Sequence, residues 1–150
     1  MLFRSVSQSR YRLFKKEKPA RILAYDKKND LAVLETDVEL DALELSENPP
    51  WPGYWVMVVG SADGFEGSVA FGNVLNVTID EVLITNNVSS GNSGGPLIDN
   101  EGKVVGMVSW GINDDEGQYN GAKMLDVFCV KILKCEYEYD GEKTWFEYGD

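Results

Sequence analysis

The 150-residue chain contains no histidine. That absence removes the imidazole that most often takes the proton from an attacking hydroxyl. Cysteine is scarce as well: Cys129 and Cys135 are the only two, too few for a disulfide-dense scaffold. On a helix over residues 125–134 their spacing puts the thiols on different faces, so they are read as separate thiols rather than a bridge. No ligand-bearing residues cluster with them, and neither a metal site nor a cofactor is expected. Basic residues are in the minority, 14 Lys and Arg against 25 Asp and Glu, for a net charge of −11. A surface of that sign does not bind phosphate backbones, so nucleic acid is not an expected partner. No apolar run reaches the length of a membrane span. Met1 to Ser5 lacks the apolar core of a signal peptide, so the sequence assigns no compartment.

What is present is concentrated in Gly91-Asn92-Ser93-Gly94-Gly95-Pro96-Leu97. A serine hydroxyl is a weak nucleophile until a base and an oxyanion hole assist it. Glycines around Ser93 clear side chains from its approach and open backbone conformations closed to other residues. The backbone N–H groups of Gly91 and Ser93 are then placed to converge on a developing oxyanion. Each such donor is worth about 3–4 kcal/mol in the transition state. The segment also satisfies Gly-x-Ser-x-Gly, but that elbow needs a helix directly after the serine. Here Pro96 opens a short extended run, so the elbow reading is set aside.

Along the chain, residues 1–18 form a basic, polar leader. Residues 20–25 and 31–35 read as antiparallel strands joined by a hairpin loop. The acidic stretch 36–53 ends in Asn48-Pro49-Pro50-Trp51-Pro52-Gly53 and reads as a linker. From Tyr54 onward the pattern is all-β: strands over 54–59, 68–78 with Gly72 at a bulge, 82–85, 96–98, 104–110 and 121–125. Residues 126–134 are the one helix candidate, with Asp126 near its start and Lys131 and Lys134 near its end, as the dipole favours. The tail 136–150 alternates acidic and aromatic residues and is either a hairpin around Asp140-Gly141 or a disordered end.

Four stretches together resemble the trypsin-like (chymotrypsin-fold) serine peptidases, in particular the HtrA/Deg-like branch. Gly91 to Leu97 resembles the nucleophile motif, and Asn29-Asp30-Leu31-Ala32-Val33-Leu34 the motif of the triad aspartate. Gly102 to Gly111 resembles the strand lining the substrate cleft, and Gly60 to Val77 the early strands of the second barrel. The resemblance implies an all-β, chymotrypsin-like double β-barrel with an incomplete N-terminal barrel and a short C-terminal helix. It divides the chain into a leader (1–18), a remnant of the N-terminal barrel (19–50), a C-terminal barrel carrying the nucleophile loop and helix (51–135) and an acidic aromatic tail (136–150).

In function, the resemblance implies a serine endopeptidase acting on peptides or unfolded proteins through an acyl-enzyme. Ser93 is its nucleophile, Asp30 the orienting acid, and Gly91 with Ser93 the oxyanion hole. Substrates then bind as an added strand along Ser109, Trp110 and Gly111, with a side-chain pocket bounded by Asn87, Val88, Gly111 and Gly121. No acidic residue stands at position 87, so the expected pocket takes a medium, uncharged side chain. The family histidine lies before the aspartate, and none of the 29 residues preceding Asp30 is one. The chain is therefore expected to be an N-terminally truncated peptidase without meaningful activity. The alternative is a catalytically dead relative that binds peptides.

Overall fold

A computed structural model describes residues 2–3, 10–13, 16–37, 41–111, 119–133, 136–139 and 142–145 of the chain. Its strands are β1 (Leu2–Phe3), β2 (Arg10–Leu13), β3 (Lys16–Pro19), β4 (Arg21–Asp26), β5 (Leu31–Glu35), β6 (Trp55–Gly60), β7 (Ser68–Val77), β8 (Glu81–Ile84), β9 (Pro96–Ile98), β10 (Val104–Gly111), β11 (Asn120–Met124), β12 (Glu136–Tyr139) and β13 (Glu142–Trp145). The helix α1 (Leu125–Phe128) is a single α turn.

Six strands close into a barrel in the order β10-β11-β8-β7-β6-β9. Closure removes the free edges that an open sheet of this size would expose. Period-two alternation decides which side chains go inside. Val56 and Val58 of β6, and Val82 and Ile84 of β8, point inward and are buried, while their neighbours are more exposed. β7 is long enough to pair with β6 through its first half and with β8 through its second. The irregularity in β7 falls between Val74 and Asn76. Gly72, expected at a bulge, instead sits in regular register opposite Val56. Its lack of a side chain serves a different purpose: a β-carbon there would meet the carboxamide of Asn86 at 2.5 Å.

β5 is the centre of a three-stranded sheet in the order β1-β5-β4. Its residues Leu31 to Leu34 are all buried, which explains the unbroken apolar run in the sequence. Leu31 does not pack only within its own sheet. It belongs to the same buried cluster as Val56, Val88, Val108 and Phe128 of the barrel side.

The expected helix over 126–134 is corrected. After α1 the backbone widens into a π turn, Cys129–Leu133, which packs against β4 and β5. The reading of two separate thiols, which assumed a continuous α-helix, is also corrected. Cys129 is disulfide-bonded, and Cys135 is the only other cysteine in the chain.

In the acidic stretch before β6, an isolated bridge joins Leu45 to Val104. The Ser46 N–H donates to the Val104 carbonyl at 2.8 Å, and the Val104 N–H donates to the Glu44 carbonyl at 2.8 Å. In the tail, β12 and β13 pair as an antiparallel hairpin, the first of the two forms considered. Among the described residues no helix is long and apolar enough to cross a membrane.

Candidate active site

The loop between β8 and β9 carries Ser93 and is pinned on both sides. The Ser61 N–H donates to the Gly91 carbonyl at 3.2 Å and the Asp63 N–H to the Ser90 carbonyl at 2.7 Å. From the other side, the Gly94 N–H donates to the Val108 carbonyl at 2.7 Å, and the Val108 N–H to the Gly95 carbonyl at 2.9 Å. Within the loop, the Asn92 N–H reaches the Ser89 carbonyl and the Gly95 N–H the Asn92 carbonyl. Gly91 takes φ +103°, and a β-carbon there would collide with the Ser61 carbonyl. Only glycine meets both demands at that position.

This bonding pattern is selective. Asn92, Gly94 and Gly95 spend their N–H groups inside the fold. The Gly91 and Ser93 N–H groups have no backbone acceptor among the described residues. Those are the two donors expected to form the oxyanion hole. Ser93 is exposed, and its Oγ donates to the Ser109 carbonyl at 3.4 Å.

Asp30 closes the turn before β5 in the left-handed region, at φ +55°, which aspartate tolerates better than most residues. The turn is held by Asp26. Its Oδ1 accepts from the Lys28 N–H at 2.9 Å and the Asn29 N–H at 3.1 Å, and its Oδ2 from Asn29 Nδ2 at 2.5 Å. The Asn29 side chain, with the two backbone donors and the nearby Lys131 charge, holds the Asp26 carboxyl below its ordinary range. Asp30 is half-buried, and its carboxylate has no hydrogen-bond partner among the described residues. The next residue, Leu31, anchors this end of β5 in the shared core.

β10 supplies the edge beside Ser93. Its pairing with β9 ends at Met107 opposite Pro96, and its ladder to β11 is irregular between Val108 and Trp110, at Ser109. Beyond the Gly95–Val108 bonds, the Ser109–Gly111 stretch has no further strand on its β9 side among the described residues. Gly111 is exposed, Ser109 half-buried, Val88 and Gly121 buried, and Asn87 exposed. Trp110 lies opposite Gly121, and Gly111 opposite Asn120. Asn120, which sequence reasoning did not single out, is buried between these walls. The strand's composition gives no signal for it, since β11 also carries the charged Lys123.

A family model described as a trypsin-like peptidase domain matches residues 9–107. The chain belongs to the trypsin-like peptidase family. Within the trypsin-like peptidases its similarities run to the HtrA/Deg branch. It is 36% identical over 105 residues to a probable periplasmic serine endoprotease, DegP-like, of Hahella chejuensis. That match covers 63% of this chain and 22% of the relative, so the chain spans about a fifth of that protein's length. Among solved structures it is similar to the HtrA-type protease AlgW with decapeptide, at 25% identity and TM-score 0.66, over 75% of this chain and 38% of that one. It also shares the fold of the active form of the Rv3671c protease from M. tuberculosis, with TM-score 0.73 at 22% identity, over 80% of this chain and 60% of that one. The chain is thus a trypsin-like peptidase family member with a closed six-stranded barrel and the short helix α1, similar to HtrA/Deg-type proteases.

Proposed function

We propose that this chain carries the nucleophile, oxyanion hole and peptide cleft of a serine endopeptidase but not its general base. The observation that carries the reading is the pair of uncommitted N–H groups at Gly91 and Ser93, interleaved with the bonded amides of Asn92, Gly94 and Gly95, beside an exposed hydroxyl. A peptide laid along Ser109, Trp110 and Gly111 extends β10 as an added strand and brings its carbonyl to Ser93. Were a base supplied to take the Oγ proton, Oγ would add to that carbonyl and the Gly91 and Ser93 amides would take the negative charge of the adduct. Asp30 is the acid that orients an imidazole in such a site. Asn87, Val88, Gly111 and Gly121 bound the side-chain pocket.

The attacking proton has no acceptor of suitable pKa in a chain with no histidine. Loss of that base costs on the order of 10⁶ in kcat in a related mechanism. This favours a second outcome of the same geometry, a cleft that holds peptides without cleaving them.

Two measurements on the 150-residue chain test the reading. Peptide titration followed by backbone NMR is expected to shift Ser109–Gly111 and the 87–95 loop. A fluorophosphonate probe is expected to label Ser93 slowly and incompletely. Rapid stoichiometric labelling would refute the inactivity, and peptides that leave these resonances unmoved would refute the cleft.

A further inference from the structure

Three aromatic side chains around the start of β6 stay in solvent: Trp51 is 60% exposed, Tyr54 54% and Trp55 39%. All three line one hollow of about 430 Å³, together with the buried Val56 and Val105. Aromatic surface gathered in a concave site marks a contact, whereas apolar residues exposed singly need no explanation. The aromatic wall is fixed. The Tyr54 N–H donates to the Trp51 carbonyl at 3.0 Å and the Gly53 N–H to the Val74 carbonyl at 2.8 Å. The Trp55 ring rests against Phe71, with centroids 5.6 Å apart.

The rest of the wall is acidic. Asp99 and Glu101, on the turn between β9 and β10, line the same hollow. Asp99 Oδ1 accepts from the Glu101 and Lys103 N–H groups, each at 2.9 Å, while its Oδ2 has no partner among the described residues. Glu101 Oε2 lies 3.6 Å from Lys103 Nζ, an exposed pair of the kind that contributes little. Among the described residues, no lysine or arginine lines the hollow. A smaller hollow of about 150 Å³ shares Pro49, Pro50 and Val105 with it and adds the carboxylates of Glu47 and Asp126.

We propose that this hollow is a second binding site, which docks an arginine-bearing segment of a partner polypeptide. A guanidinium lies flat on an indole or phenol face while its N–H groups reach carboxylates, and this wall offers both. Lysine brings the charge without the flat face. The further carboxylates of the smaller hollow extend the site along a peptide rather than around one side chain. β6 runs from Trp55 at this hollow to Gly60, which meets Asn92 of the nucleophile loop. At strand rise the two ends stand about 16 Å apart. The site is therefore separate from the cleft, and its occupation does not depend on the reading of the cleft.

The test is titration of the 150-residue chain with acetyl-Gly-Arg-Gly-Arg-Gly-amide and with its lysine and citrulline counterparts, followed by NMR. The arginine peptide is expected to move the indole N–H resonances of Trp51 and Trp55 and to leave those of Trp110 and Trp145 still. The lysine peptide should bind about fivefold more weakly, and the neutral citrulline peptide about tenfold or more. That comparison needs no variant and so does not depend on folding. Asp99→Asn keeps an acceptor oxygen for the turn, and combined with Glu101→Gln it should weaken the arginine peptide about tenfold. Trp55→Leu should weaken it about fivefold. Equal binding of the arginine and citrulline peptides, or no binding of either, overturns the proposal. So do shifts spread over the acidic surface with Trp51 and Trp55 unmoved, or shifts confined to Ser109–Gly111, which would assign the peptide to the cleft. Indole resonances that move with chain concentration alone would make the occupant a second copy and overturn the choice of partner.

Discussion

Gly60 and Asn92 share one volume: the Asn92 carboxamide occupies the space that a β-carbon on Gly60 would require. Asn92 is almost wholly buried and directly precedes Ser93. The end of β6 therefore sets the height of the nucleophile loop through a contact that only glycine permits. The backbone of Asn92 closes in on the same point, with its Cα 2.9 Å from that would-be β-carbon, so a side-chain rotation alone does not relieve a clash.

Gly60→Ala is expected to destabilise the fold by about 1–3 kcal/mol, the usual cost of overpacking. Urea unfolding followed by tryptophan fluorescence measures it. The same variant should slow whatever probe labelling Ser93 retains. An unchanged midpoint would mean that the loop moves freely away from β6, against the packing described above.

Leu31 tests whether the two sheets share one core. Its side chain is fully buried in the cluster that includes Val56, Val108 and Phe128. Leu31→Ala should cost about 2–5 kcal/mol. The loss should appear in amide exchange of the barrel strands as well as β4 and β5. Barrel protection equal to that of the unmutated chain would show the shared core to be energetically trivial.

The Asp26 turn makes a pH prediction. Its carboxyl is held below its ordinary value of 3.8, first by the Asn29 side chain and then by the backbone donors. A depressed folded-state pKa stabilises above the unfolded value and is lost as pH falls through the folded one. Stability should therefore decline below about pH 4. Asp26→Asn, which keeps an acceptor oxygen, should flatten that part of the profile. Asp26→Ala should loosen the turn at every pH. The effect is small, because the group stands near solvent. Thermal melts between pH 2 and 6 measure it, and equal slopes in the unmutated and Asp26→Asn proteins would contradict it.

The distribution of what was legible follows the range of the interactions involved. The strands of the barrel were readable because period-two alternation is a local consequence of the pleat, as in Val56 and Val58. The nucleophile segment was readable because close approach and positive φ demand glycine whatever surrounds it, as at Gly91. The helix end was misjudged because a π turn and a disulfide at Cys129 depend on what packs against β4 and β5. Gly72 was misplaced because its reason is a carboxamide 14 residues later in sequence, Asn86. Asn120 was passed over because opposition to Gly111 is a fact of strand register, and a slip of one residue reverses which side chain faces the cleft.

By itself the sequence determined the family and the β-rich fold, and placed a serine among glycines, because glycine requirements and alternation are written residue by residue. Only the tertiary structure decided which amides near Ser93 stay uncommitted, that Leu31 enters the barrel's core, and that Asn120 stands opposite Gly111. Each of those depends on groups distant in the chain competing for the same hydrogen bonds and the same space, and that competition is settled only when the sheets close.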